Sequence, residues 1–284
     1  ITEKQSNLLM KSNKERNKIM KPMKLLSNPM VNYKAKKNLK LKVHSWFLSL
    51  APSDISGYNV CPMANKVTQG ENHKLKSSCS SVCVAHNGNG RYPVVINARI
   101  RKTKLYFEDR NTFMSLLIDD ITEAIKESEK AGYIPTFRLN AYSDIMWENI
   151  RFDKAGLSYK EGKYNGKNIF EIFPDITFYD YTKIANRKTP SNYHLTVSYF
   201  GNDIEYKKAI KNGSNVAMVF DTQNNPKLPL PSEYNGMKVI DGDLTDLRTK
   251  ENDGTNVIVG LRAKMSKANI EKELQKETSF VVRA

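Results

Sequence analysis

The sequence predicts an α/β protein with parallel strands, arranged as a partial or open (β/α) barrel and preceded by a basic N-terminal arm. About seven short apolar runs alternate with helical or loop segments along the chain. Such runs are typical of strands that are buried on both faces, as in parallel sheets. No glycine-rich phosphate loop follows the first strand, which disfavours a doubly wound nucleotide-binding sheet. Seven strands are also one too few for a complete eight-stranded barrel.

The elements follow in order from apolar periodicity and turn residues. The predicted strands cover residues 41–50, 134–140, 176–181, 193–199, 215–220, 237–240 and 257–261. The strongest helical periodicity covers residues 94–131, with Asn111 as an N-cap and Gly132 as the C-terminal stop. Shorter helices are predicted near residues 144–155, from 182 to about 186, over 203–212 and from 266.

Charge divides the chain into an arm, residues 1–42, and a barrel domain, residues 43–284. The net charge is +15, and the arm holds twelve Lys and Arg against two acids, so it carries +10 of this total. A concentrated basic segment favours contact with DNA or RNA, and a solvated tail is the alternative. The candidate nucleic-acid contacts are Lys34, Lys36, Lys37 and Lys40.

Several protein classes are disfavoured. The chain has no run of 18 apolar residues and no apolar signal-peptide core, so we expect neither a membrane-spanning helix nor a secretory signal. Three cysteines are an odd number, which argues against a disulfide framework. The chain contains no HExxH, Gly-x-Ser-x-Gly, Walker A or CxxC motif.

The cysteines nevertheless form one group. Cys61, Cys79 and Cys83 lie within 23 residues, inside a polar loop that we place at residues 58–92. Thiolates are soft ligands that suit zinc and iron–sulfur clusters, and three of them leave one coordination position open. His86 would complete a closed zinc site. Three unrelated thiols are the remaining interpretation.

Polar residues at the ends of the predicted strands are the candidate catalytic residues, because sites in parallel α/β sheets form at the carboxyl ends of strands. Arg138 and Asn140 alternate with apolar residues, so we expect both to face the barrel interior. Asp144 is also a plausible helix N-cap. The full set is Arg138, Asn140, Asp144, Asp180, Lys183 and Ser198.

These motifs together resemble a known family. Cys61-Pro62, Cys79-x3-Cys83-x-Ala85, the run Arg-Leu-Asn-Ala-Tyr-Ser-Asp that ends at Asp144 and the run Phe-Tyr-Asp-Tyr-Thr-Lys that ends at Lys183 are similar to the phage gene product 88 family. The resemblance covers roughly residues 43–264.

The resemblance implies a distant relative of radical S-adenosylmethionine enzymes. It implies a 4Fe–4S cluster on Cys61, Cys79 and Cys83, S-adenosylmethionine as a second cofactor and an external electron donor. It also implies a phage- or plasmid-encoded protein that acts in the cytoplasm of a bacterial host or in the virion. The usual CxxxCxxC spacing is absent, and Val84 stands where an aromatic residue often follows the last cysteine. The rival hypothesis is a non-catalytic nucleic-acid-binding or virion-associated protein that acts through its basic arm.

Overall fold

The computed structural model describes residues 23–63, 83, 85, 88–152, 162–201, 203–222, 228–276 and 279–283. Within these residues the chain forms one mixed sheet that is mostly parallel. Its strands are β1 (Leu26–Ser27), β2 (Val43–Leu48), β3 (Ile134–Arg138), β4 (Thr177–Thr182), β5 (Tyr193–Ser198), β6 (Val216–Phe220), β7 (Glu233–Tyr234), β8 (Met237–Asp241), β9 (Ile258–Arg262) and β10 (Val281–Val282).

The strand order is β1-β2-β3-β4-β5-β6-β9-β8-β7, with β10 paired to β6. The seven predicted strands are all present, and each pairs in parallel with its neighbour in the central run from β2 to β8. Antiparallel β1 and β7 extend the two ends of that run. The α/β class and the parallel strands are confirmed. The barrel is not confirmed, because the sheet is open.

The described helices are α1 (Tyr33–Lys36), α2 (Ser53–Ser56), α3 (Pro93–Glu108), α4 (Arg110–Lys130), α5 (Ile169–Ile172), α6 (Asp203–Lys211), α7 (Lys250–Asp253) and α8 (Lys267–Leu274). The predicted helical segment 94–131 is therefore two helices, broken at Asp109. That residue leaves helical geometry, and its carboxylate caps the N–H of Thr112 at 3.0 Å, so Asp109 takes the N-cap role that the sequence suggested for Asn111. Gly132 has φ +74°, as expected of a residue that ends a helix.

Two predicted helices were wrong. The described residues 144–152 hold only a 3₁₀ turn, Trp147–Asn149, and residues 183–186 form a bend and a turn. In both places a side-chain oxygen accepts from a backbone N–H at the start of the segment. Asn140 accepts from Ile145, and Asp144 accepts from Lys183.

The two faces of the sheet are covered differently. Helices α3 and α4 pack on the helical face, where Phe113 and Leu117 join Phe137 and Phe178 in the main apolar core. The second face is covered by α1 and residues 243–249, and its contacts are more polar. There Asn38 bonds both to Ser45 of β2 and to the backbone of Asp246.

The described part of the predicted arm belongs to this domain. Residues 23–42 supply β1 and α1, and Leu25, Ala35 and Asn38 are fully buried. Residues 1–22 lie outside the described residues. Among the helices that the structure describes, none is long and apolar enough to cross a membrane.

One buried carboxylate attaches this segment to α4. Asp120 Oδ2 accepts hydrogen bonds from the backbone N–H groups of Leu25 (2.6 Å) and Leu26 (3.2 Å). Because Asp120→Ala leaves two buried donors unsatisfied, we expect it to lower the free energy of unfolding by about 1–3 kcal/mol. Glu123→Ala, at an exposed partner of Lys24 on the same helix, should cost less than about 1 kcal/mol. Equal urea midpoints for the two variants would contradict this attachment.

Candidate site at the carboxyl edge of the sheet

Asp180 lies at the centre of the candidate site. It is fully buried in β4, and its carboxylate accepts hydrogen bonds from the backbone N–H of Asn140 (2.8 Å) and the hydroxyl of Tyr193 (3.0 Å). Arg138 Nε lies 3.9 Å from Asp180 Oδ1. Burial raises the pKa of Asp180 to about 7, although these three groups oppose the shift. Asp180 can therefore change protonation state near neutral pH.

Arg138 and Asn140, which both lie near Asp180, have different environments. The Arg138 side chain lies on the second face, between the rings of Phe47 and Tyr181, and donates through Nη1 to Asp246 at 2.9 and 3.1 Å. Strand β3 ends at Arg138, so the alternation that the sequence suggested does not extend to residue 140.

Asn140 instead organises the chain that follows β3. Its side-chain oxygen accepts from Ser143 Oγ, the N–H of Ile145 and the indole of Trp147, at 2.7, 3.0 and 3.1 Å. Its amide nitrogen donates to the carbonyl of Ile145 at 2.9 Å. Because both polar atoms of its side chain have hydrogen-bond partners, Asn140 holds the loop after β3 in this conformation.

Asp144 belongs to a second buried cluster with Arg187 and Glu148. Arg187 donates to Asp144 Oδ1 at 2.9 Å and to both carboxylate oxygens of Glu148 at 2.8 and 2.7 Å. Burial raises the pKa of Asp144, while the N–H of Lys183 and the charge of Arg187 lower it. Tyr193 lies within hydrogen-bonding distance of Arg187, at 3.4 Å, so this cluster continues into the Asp180 group.

Lys183 and Ser198 are the more accessible members of the set. Both side chains are half-buried, and Lys183 Nζ donates to Ser198 Oγ across β4 and β5. The ammonium group lies about 5.5 Å from the rings of Phe200 and Phe280. Arg138, Asn140, Asp144 and Asp180 are buried, so a ligand at this edge would meet Lys183 and Ser198 first.

Of the two described cysteines, Cys61 lies at the same edge of the sheet. Cys61 is half-buried, and its thiol lies 3.6 Å from the carbonyl oxygen of Tyr142. The preceding residue, Val60, accepts a backbone hydrogen bond from Asp144 at 2.9 Å. Cys83 is also half-buried, whereas Cys79 and His86 lie outside the described residues. Within the part of the chain that is described, no three potential ligands are grouped around a metal position.

Arg99 of α3 connects the two described cysteine segments. Its guanidinium stacks over the Tyr142 ring at 4.2 Å and donates through Nη1 to the carbonyl of Ala85 at 3.1 Å. The side chain is buried, and its Nε has no hydrogen-bond partner among the described residues. Gly90 permits this approach, since a Cβ there would lie 2.5 Å from the Ala85 carbonyl oxygen.

The predicted nucleic-acid contacts have mixed environments. Lys36 and Lys40 are exposed, whereas Lys37 donates to the carbonyl of Asp243 at 2.6 Å. Lys34 is half-buried beside Arg138 and Asp246, and burial lowers its pKa to about 8. Nucleic-acid binding through these lysines stays a prediction.

Comparison with known families identifies the chain. Residues 9–283 match the family model described as gene product 88. The chain belongs to the gene product 88 family. Searches of the curated proteins and of the solved structures gave no significant match. The family resemblance expected from the sequence is confirmed, and the match also includes most of the predicted arm.

In this gene product 88 protein, several site residues carried no usable sequence signal. Arg187 and Asp246 lie in polar loop segments, where a charged residue is ordinarily solvated, and Glu148 lies in the 3₁₀ turn Trp147–Asn149. Each nevertheless makes a buried ion pair. Arg99 lies on a helix among other basic residues.

The raised pKa of Asp180 predicts a pH-dependent stability of the gene product 88 protein. An acid whose folded-state pKa is raised stabilises the fold fully below its unfolded pKa of about 4, and this contribution is lost as the pH rises through about 7. Between these values wild type should lose up to about 1.4 kcal/mol per pH unit relative to Asp180→Asn. Urea unfolding from pH 4 to 8 measures the difference. Parallel profiles for the two proteins would show that Asp180 does not titrate in this range.

Proposed function

We propose that this protein binds a 4Fe–4S cluster through Cys61, Cys79 and Cys83 at the carboxyl edge of its open sheet. The observation that carries the proposal is the convergence of two cysteine segments on Arg99 and Tyr142. Cys61 and Ala85 therefore both lie near Tyr142 and Arg99. When bound, such a cluster supplies one-electron redox chemistry.

The chemistry around Arg99 fits a thiolate centre. A cluster held by three thiolates is anionic, and a buried guanidinium beside it would favour the ionised form of the cysteines. The Nε of Arg99 is a buried donor that no described group accepts, so it can bond to a sulfur. Arg99 would also hold the second cysteine segment in position through its bond to Ala85.

The other candidate residues lie at the ends of the strands and would bind the substrate or position the site. Lys183 and Ser198 would contact a substrate or S-adenosylmethionine, because they are the accessible pair. Asp144 would act as a positioning residue, since it bonds the backbone of both Val60 and Lys183. Asp180 and Asn140 would fix the end of β3 beneath them.

Cysteine substitution tests the ligand set. Cys61→Ser, Cys79→Ser and Cys83→Ser should each lose most of the iron and sulfide of the anaerobically purified protein, because a hydroxyl is a poor ligand for this metal. Ser81→Ala, between two of the cysteines, is the control and should retain both. Iron retained by all three cysteine variants would refute the assignment. Zinc that is lost in all three would support the structural zinc site instead.

Arg99→Met tests separately whether Arg99 stabilises the bound metal. Loss of an outer-shell donor typically weakens metal binding about 10–100-fold, so this variant should lose its metal to a chelator at correspondingly lower concentrations. Arg101→Met, at an exposed position of the same helix, should behave as wild type. If both variants match wild type in chelator titrations, Arg99 has no role at the metal.

A further inference from the structure

The segment that contains α1 presents a basic surface on the second face of the sheet. Residues 33–42 contain five lysines and no aspartate or glutamate. Ala35 and Asn38 of this segment are fully buried, so they attach it to the sheet. The residues exposed to solvent between them and on either side include Tyr33, Lys36 and Lys40.

Hydrogen bonds through Asn38 fix the position of this segment. Its amide nitrogen donates to Ser45 Oγ of β2 at 2.8 Å. Its side-chain oxygen accepts from the N–H groups of Asp246 and Leu247 at 2.8 and 3.2 Å. The lysines therefore belong to the folded domain, and binding through them would cost less ordering entropy than binding through a disordered tail.

The lysines are arranged in a row. Ala35 packs against Phe47 near the carboxyl end of β2, whereas Lys42 directly precedes the first residue of that strand. The segment thus runs back along β2 from Phe47 to Val43, a distance of about 13 Å at the usual rise of a strand. At the far end, Lys42 Nζ lies 5.4 Å from the centre of the Tyr133 ring. A row of cations suits an extended polyanion better than one small anion.

The carboxylates around this segment have other partners. Asp246 pairs with Arg138 at 2.9 Å, and Asp243 pairs with Lys264 at 2.7 Å. Glu127 of α4 accepts a hydrogen bond from an amide side chain at 3.0 Å. Among the residues that the structure describes, no carboxylate forms an ion pair with a lysine of residues 33–42. The row therefore keeps its positive charge.

An exposed aromatic ring lies at the start of the row. Tyr33 is 76% exposed, and Met30 and Val31 near it in the chain are 50% and 78% exposed. Grouped exposed apolar side chains are a feature of interaction sites. Lys37 Nζ lies 5.5 Å from the centre of the Tyr33 ring. A positive charge therefore lies beside a ring on which a nucleic-acid base can stack.

We propose that this row of lysines and Tyr33 form a binding surface for a single-stranded nucleic acid. The surface consists of Tyr33, Lys36, Lys37, Lys40 and Lys42. The lysines would contact phosphates, and Tyr33 would stack on one base. Lys34 is half-buried and is not part of the surface. The surface uses none of the cysteines, so its test is independent of the proposed metal centre.

The salt dependence of binding tests the lysines. The full chain should bind a fluorescent oligothymidylate in anisotropy titrations, with an affinity that falls as the salt concentration rises. Each lysine that contacts a phosphate contributes roughly 0.7 to the slope of log affinity against log salt concentration, so Lys36→Gln combined with Lys40→Gln should reduce this slope by about 1.4.

Lys126→Gln combined with Lys130→Gln is the matched control, because both lysines are exposed on α4, which packs on the helical face. This double variant should bind with the affinity and the slope of wild type. No binding by wild type, or equal changes in the two double variants, would overturn the proposal.

Tyr33→Ala tests base stacking. Loss of one stacked base should weaken binding about 5- to 150-fold, whereas Tyr33→Phe keeps the ring and should bind as wild type does. Tyr92→Ala should also bind as wild type does, since Tyr92 is exposed but directly precedes α3. Unchanged binding by Tyr33→Ala, or equal affinity of wild type for single-stranded and duplex DNA, would exclude a single-strand site. Binding to vesicles of anionic phospholipid without binding to the oligothymidylate would overturn the proposal in favour of a membrane surface.

Discussion

The buried carboxylate of Asp180 connects the structures on both faces of the sheet. It accepts the N–H at the end of β3 and the hydroxyl of Tyr193 from β5, and it lies near the guanidinium of Arg138. Tyr193 packs in the apolar core of the helical face, while Arg138 reaches the second face. Because the Asp180 side chain contacts the end of β3, Tyr193 and Arg138, a change in its ionisation would alter contacts on both faces of the sheet.

The carboxyl edge is thereby divided into two regions of different chemistry. On one side, Tyr142 and Arg99 bring the cysteine segments against the loop after β3. On the other side, Arg138 lies near the rings of Phe47 and Tyr181 and pairs with Asp246. Tyr142 packs against Phe47 and Ala35, and Arg138 also lies over the Phe47 ring, so the two regions adjoin.

The sequence predicted the strands well, because seven apolar runs are long enough to require burial on both faces. It could not predict their order, in which β9 lies between β6 and β8, since periodicity reports burial and not neighbours. Residues 23–42 illustrate a similar limit. Their lysines suggested an arm, yet Leu25 and Ala35 are buried, because charge composition does not reveal which few apolar residues pack.

The candidate site was predicted in part. Residues at the carboxyl ends of strands did converge, as topology requires, and Lys183 and Ser198 proved to be in contact. The partners that decide their roles come from turns far along the chain. Arg187 lies 43 residues from Asp144, and Asp246 lies 108 residues from Arg138. No local pattern encodes such pairs, because they are created only by the fold.

The most direct measurement is the iron, sulfide and zinc content of wild-type protein purified without oxygen, together with its visible absorbance spectrum. We expect about four irons and four sulfides per chain and a brown protein. A colourless protein that contains zinc, or one that contains no metal after anaerobic reconstitution with iron and sulfide, would contradict it.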